Sequence, residues 1–89
     1  MKAQYDPEFI KILKKQNVRI RKSFREAIRI FSKSPFDPRL NNHKLQREHK
    51  GYRSINITAN WRALYREFQE GKDTIAYFVT LGIHRELYK

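Results

Sequence analysis

The feature that most restricts what this chain can fold into is a change of hydrophobic period near its middle. From Val18 to about Lys33 the apolar residues Ile20, Phe24, Ala27, Ile28 and Phe31 recur at i, i+4, i+7, i+8 and i+11, which aligns them on one face of an α-helix. From Arg53 to Thr58 the period is two, with Ile55 and Ile57 alternating against Ser54, Asn56 and Thr58 as in a strand. Helices first and strands second, with an amphipathic stripe that must be buried, predict an α+β fold in which helices cover one face of a sheet.

The remaining elements follow from local signals. Lys2 to Tyr5 reads as a short opening strand. Asp6-Pro7-Glu8 then supplies an N-cap, a first-turn proline and an acid at the positive end of a helix whose stripe is Phe9, Ile12 and Leu13. Asn17 is expected to break this helix in a left-handed conformation, giving a two-helix hairpin. Pro35 and Pro38 close the second helix and open a loop from Ser34 to about Tyr52 that carries Arg39, Lys44, Arg47 and Lys50 together with His43 and His49. Such a connection is longer than packing alone requires. After Arg53 to Thr58, a tight turn at Ala59-Asn60 leads into a strand from Trp61 to Phe68. A hairpin turn at Glu70-Gly71-Lys72 and a strand from Thr74 to Leu81 complete an antiparallel meander. Gly82 is expected to end the sheet and leave His84 to Lys89 as a tail. On the strand from Trp61, Arg62, Leu64, Arg66 and Phe68 share one face and Trp61, Ala63 and Tyr65 the other, so the alternation does not choose the face that carries a cleft.

At 89 residues the whole chain, 1–89, is expected to be one domain. Its 39% hydrophobic and 13% aromatic content supports a folded core in spite of the high charge. Twenty Lys and Arg against nine Asp and Glu give a formal charge of +11, a field that attracts polyanions. The absence of cysteine excludes disulfide and thiolate chemistry and fits a reducing, cytoplasmic setting. No apolar run approaches the roughly 20 residues that span a bilayer, so no membrane partner is expected.

Nine basic residues and the single acid Glu26 lie between residues 11 and 33, and Arg21, Lys22 and Arg25 stand off the apolar stripe where they could grip phosphates. A solvated helix face is the bland alternative. A second basic constellation joins the loop to the strands and tail: His43, Lys44, Arg47, His49, Lys50, Arg53, Arg62, His84, Arg85 and Tyr88. Carboxylates are almost missing from it, and the three histidines have no recognised metal-ligand spacing, so neither a metal site nor a cofactor is expected. There is no nucleophile elbow and no glycine-rich phosphate loop. RNA cleavage needs none of these, because the neighbouring 2'-hydroxyl is the nucleophile. Imidazoles that move protons and guanidiniums that bind the phosphate suffice. Taken singly, each histidine is more often a surface or packing residue, Tyr88 a packing residue and Trp61 a core residue.

Three stretches sharpen this: Lys50-Gly51-Tyr52-Arg53, Ile57-Thr58-Ala59-Asn60-Trp61-Arg62-Ala63-Leu64-Tyr65 and Gly82-Ile83-His84-Arg85-Glu86-Leu87-Tyr88. In order, spacing and total length the chain resembles the RelE/ParE superfamily of toxins from bacterial type II toxin-antitoxin systems, above all the RelE and YafQ-like mRNA interferases. The resemblance implies a β-α-α-β-β-β fold and a metal-independent endoribonuclease acting on mRNA in the ribosomal A site. It further implies a monomeric free toxin held inactive by a cognate antitoxin with an acidic binding segment. Residue by residue, it implies that His84 is an acid-base group, Tyr88 an aromatic contact to the scissile nucleotide, Arg62 a phosphate ligand and His43 a loop histidine of the site. Lys44, His49, Lys50, Arg53 and Arg85 would contact RNA. The chain departs from YafQ-like proteins at Asn56 and Asn60, where those have a histidine and an aspartate, and asparagine cannot act as a general base. Two other classes remain open: a ParE-like toxin of DNA gyrase without nuclease activity, and a non-catalytic ribosome- or RNA-binding protein.

Overall fold

The computed structural model describes residues 1–87. Its elements in chain order are β1 (Lys2–Tyr5), α1 (Pro7–Lys14), α2 (Val18–Lys33), β2 (His43–Lys44), β3 (Arg53–Asn56), β4 (Trp61–Glu70), β5 (Asp73–Ile83) and α3 (His84–Leu87). The expected α+β arrangement is present: two helices pack on one face of a five-stranded sheet of order β1-β5-β4-β3-β2. Strands β2 to β5 are antiparallel neighbours, whereas β1 runs parallel to β5 at the edge. Among the described residues, no helix is long and apolar enough to cross a membrane.

Both helix starts are set by side-chain caps. Asp6 accepts the Glu8 amide at 2.9 Å, with Pro7 in the first turn. Asn17 is not a left-handed break: at φ −65° and ψ 168° it is extended, and its side chain accepts the Ile20 amide at 3.0 Å as the N-cap of α2. The residue that was expected to end α1 instead starts α2, because a cap satisfies an orphan amide that a left-handed turn would leave to water.

The core lies between the helices and the sheet. Phe9, Phe24, Ala27 and Phe31 meet Ile55, Ala63, Tyr65, Ala76, Phe78 and Leu81, with Tyr5 and Trp61 partly buried against them. Phe78 is its centre, within 5.1–6.3 Å of the rings of Tyr5, Phe9, Phe24, Phe31 and Tyr65. Phe78 and Leu81 share the core face although they are three residues apart. The register passes from Leu64 opposite Thr80 to Tyr65 opposite Phe78, which leaves Val79 as the extra residue of a bulge.

Several strand ends differ from expectation. β3 stops at Asn56, and the turn after it spans 57–60, held by the Thr58 hydroxyl, which accepts the amides of Asn60 and Trp61. β4 continues to Glu70, so the hairpin turn is only Gly71-Lys72, with Gly71 at φ +62°. Gly82 does not end the sheet: β5 runs through it to Ile83.

Candidate nucleic-acid interface

By alternation, Arg62, Leu64, Arg66 and Phe68 of β4 and Thr80 and Gly82 of β5 face away from the helices. This second face is partly covered at one end. Helix α3 folds back over it: a Cβ on Gly82 would sit 3.1 Å from Cδ2 of Leu87, so only glycine leaves room for Leu87 here without displacement. The basic loop approaches from the other side, and the His49 ring nitrogen Nε2 bonds the Leu87 carbonyl at 2.7 Å. Loop and tail thus meet, and Ser54 and Leu64 on this face are 0% and 2% exposed. At the opposite end Arg66 lies over the rings of Phe68 and Tyr77, at 6.0 and 5.3 Å.

Arg62 and the start of α3 both lie at the 57–60 turn. The backbone amide of His84 donates to the Asn60 carbonyl at 2.7 Å, and Arg62 lies directly opposite Gly82. The Arg62 Nη1 donates to the carbonyls of Thr58, Ala59 and Trp61 at 3.0–3.1 Å. One end of the guanidinium is thereby anchored on the turn, and a fork with five donors keeps others for an anion. His84 and Arg85 line a hollow of about 390 Å³ with Asn60 and Ile83. This corner is basic and edged by backbone carbonyls, with His84 and Arg85 lining the hollow and Arg62 anchored on the adjoining turn. It is suited to binding a phosphate and moving a proton beside it.

The other residues singled out in the sequence fall into separate places. Lys44, Lys50 and Arg53 line a cleft of about 370 Å³ with Leu45, Gln46, Gly51, Tyr52 and Glu67. His43 is exposed on edge strand β2, and its Nδ1 bonds the Asn41 carbonyl at 2.8 Å. Three strand spacings, about 14 Å, separate β2 from β5, so the structure does not bring His43 and His84 to one point. Arg21, Lys22 and Arg25 are on α2 in the helical layer, which covers the opposite face of the sheet from Arg62. Arg21 and Arg25 border a groove between α1 and α2. Tyr88 lies outside the described residues. Among those described, no three His, Asp or Glu converge as metal ligands would.

The sequence reading missed two contributors. Asn42 is a hub, its Nδ2 donating to the Tyr65 hydroxyl at 2.7 Å and to the Pro35 carbonyl at 2.9 Å, while its Oδ1 accepts Arg53 Nε at 2.8 Å. Burial pushes the Tyr65 phenol up, and the Asn42 bond partly offsets this. Phe36 stands out at 60% exposure with the Arg53 guanidinium 5.0 Å from its ring centroid. An aromatic placed between Pro35 and Pro38 in a basic loop is a visible signal for the second, whereas nothing local marks the first.

No protein-family model matches the chain, and no curated protein does. Solved structures do. The chain is similar to a YoeB/ParE toxin from Agrobacterium tumefaciens at 22% identity and a TM-score of 0.74, covering 94% of this chain and 99% of that one. It is similar to YafQ from E. coli at 21% identity and a TM-score of 0.74, covering 98% and 97%. A RelB-RelE antitoxin-toxin complex from Methanococcus jannaschii matches at 21% identity and a TM-score of 0.65, covering 94% and 93%. Over almost its full length, this chain has the fold of the YoeB/ParE, YafQ and RelE toxins.

Proposed function

We propose that the protein is the toxin of a type II toxin-antitoxin pair and acts as an endoribonuclease on mRNA in the ribosomal A site. The observation that carries this reading is a fold shared with RelE and YafQ toxins on which Arg62 and the backbone of His84 are both held at one turn. Arg62, anchored by the turn carbonyls, binds the scissile phosphate and favours the charge that grows on it. The 2'-hydroxyl oxygen attacks phosphorus, its proton leaves to a base, and the bond to the 5'-oxygen breaks as that oxygen is protonated. Products are a 2',3'-cyclic phosphate and a 5'-hydroxyl. His84 serves one of the two proton transfers, and Tyr88, four residues on, contacts the nucleotide. His43, together with Lys44, His49, Lys50, Arg53 and Arg85, holds the strand on either side. No metal takes part.

The partner is an antitoxin with an acidic toxin-binding segment, as a net charge of +11 favours. One solved structure of this fold, RelB-RelE, is an antitoxin-toxin complex. Primer extension on ribosome-bound mRNA tests the reading. His84→Ala should weaken cleavage by roughly 10² to 10⁴-fold, the worth of a positioned proton-transfer group, and Arg62→Ala by roughly 10² to 10³-fold, the worth of a donor to growing charge, with folding retained. Chelators should not abolish cutting once ribosome integrity is controlled with magnesium. Wild-type rates in both variants, or failure of DNA supercoiling before translation, would refute the assignment.

A further inference from the structure

We propose that Phe36, backed by Arg53, is a stacking platform for an unpaired nucleobase, with Lys44 and Lys50 holding the phosphates beside it. This rests on the reading of the protein as one that acts on single-stranded RNA. Among the described residues, only Val18 and Phe36 are large apolar side chains left exposed. Phe36 is also part of a built arrangement. The Arg53 guanidinium 5.0 Å from its ring centroid is tied through Asn42 to the Tyr65 hydroxyl in the core and to the carbonyl of Pro35, the residue before Phe36. The ring and its cation are therefore positioned before any ligand arrives.

The same Arg53 belongs to the neighbouring cleft. Lys44 is its direct partner in the β2–β3 register, and Lys50 lines the cleft with both, Glu67 being the one carboxylate there. A flat ring that is open to solvent, backed by a cation and adjacent to ammonium groups fits a base on its face and a phosphate alongside. A duplex has no free base face to offer. An acidic peptide would use the lysines but has no need of an aromatic ring.

Fluorescence anisotropy with a labelled eight-nucleotide 2'-O-methyl strand, which cannot be cleaved, tests this against the same strand made abasic. The wild-type protein should prefer the base-bearing strand by roughly fivefold or more, the worth of one stacked base. Phe36→Ala should lower the preference by roughly fivefold or more, any remainder belonging to Tyr88, and Phe36→Trp should keep it whole. Phe36→Leu, which retains apolar bulk without a π face, should behave as the alanine variant. Because the side chain is exposed, all three should keep the wild-type circular dichroism. A preference undiminished in Phe36→Ala or Phe36→Leu overturns the platform. Should the wild-type protein bind both strands equally while His84-dependent cleavage stands, the platform alone fails. If it neither binds nor cleaves RNA, the functional reading fails with it.

Discussion

At the scale of single residues, several of the chain's few carboxylates are bound by near neighbours in sequence. Asp37 accepts the backbone amide of Arg39 and pairs with its guanidinium at 2.9–3.0 Å, which holds the Asp37 carboxyl down to about 2 from an ordinary 3.8. Because the folded value is the lower one, the charged form favours the folded turn. That stabilisation is fully present above pH 3.8 and is lost as the pH falls through 2. An NMR titration of the Asp37 carboxyl carbon should have its midpoint near 2, and Asp37→Asn should remove the acid-dependent chemical-shift changes of residues 38–41. A midpoint at the ordinary value would mean that the pair does not persist in solution. Glu26 is drawn down in the same direction by its hydrogen bonds to Arg29. Two of the acids on the helices and loop are thus spent on neighbouring arginines, while Arg21, Lys22 and Arg25 have no ion pair among those seen in the described residues.

At the scale of elements, periodicity was more legible than termini, since Asn17, the cap of α2, reads in the sequence as a break. The α2 stripe gave the observed bounds Val18–Lys33, since a four-turn amphipathic pattern between an Asn cap and Pro35 leaves little freedom. The bulge at Val79 was hidden because β5 reads Ile75-Ala76-Tyr77-Phe78-Val79-Thr80-Leu81, nearly all apolar, and an extra residue shows as a parity break only where polar residues alternate. The Asn42 hub was hidden because its partner Tyr65 is 23 residues away. Of the candidate site, His84 and Arg62 were named from the sequence through the resemblance, but the distance between His43 and His84 was not legible, since it depends on which strands lie between.

The short α3 offers a test at this scale. It is held by the His84 amide on Asn60, the His49 ring on the Leu87 carbonyl and Leu87 over Gly82. In Gly82→Ala the new methyl would lie 3.1 and 3.3 Å from two Leu87 carbons, both in a side chain at the end of a one-turn helix that can shift. The cost in global stability should therefore stay near the low end for overpacking, about 1 kcal/mol. If His84 acts in cleavage, a displaced α3 should slow it by up to about 10²-fold, as small misplacements of a reacting group do. Hydrogen exchange should speed up at residues 84–87 and not in β4 or β5. Loss of cleavage with unchanged exchange at α3 would show that Gly82 matters for another reason.

At the scale of the whole molecule, positive charge is present on both sides of the sheet. The loop cleft and the His84 corner belong to the sheet and its connections, while Arg21, Lys22 and Arg25 ride on α2 over the helical face. The first turn of α2 has no acid, although acids there are favourable to a helix by about 0.3–1 kcal/mol each and cations unfavourable. The proposed antitoxin segment rich in Asp and Glu would find there cations with no ion pair among the described residues. Its encounter should be steered by the field of the whole chain, so charge governs the association rate more than the final strength. Stopped-flow mixing across a salt series should show the on-rate falling as ionic strength rises, because screening shortens to about 8 Å at physiological salt. Neutralising Arg21, Lys22 and Arg25 together should flatten that dependence if the segment crosses α2. An unchanged slope would move the contact to the cleft of Lys44, Lys50 and Arg53, where the antitoxin would compete directly with RNA. An on-rate indifferent to salt would reject steering altogether and leave apolar contacts, such as the groove between α1 and α2, to account for recognition.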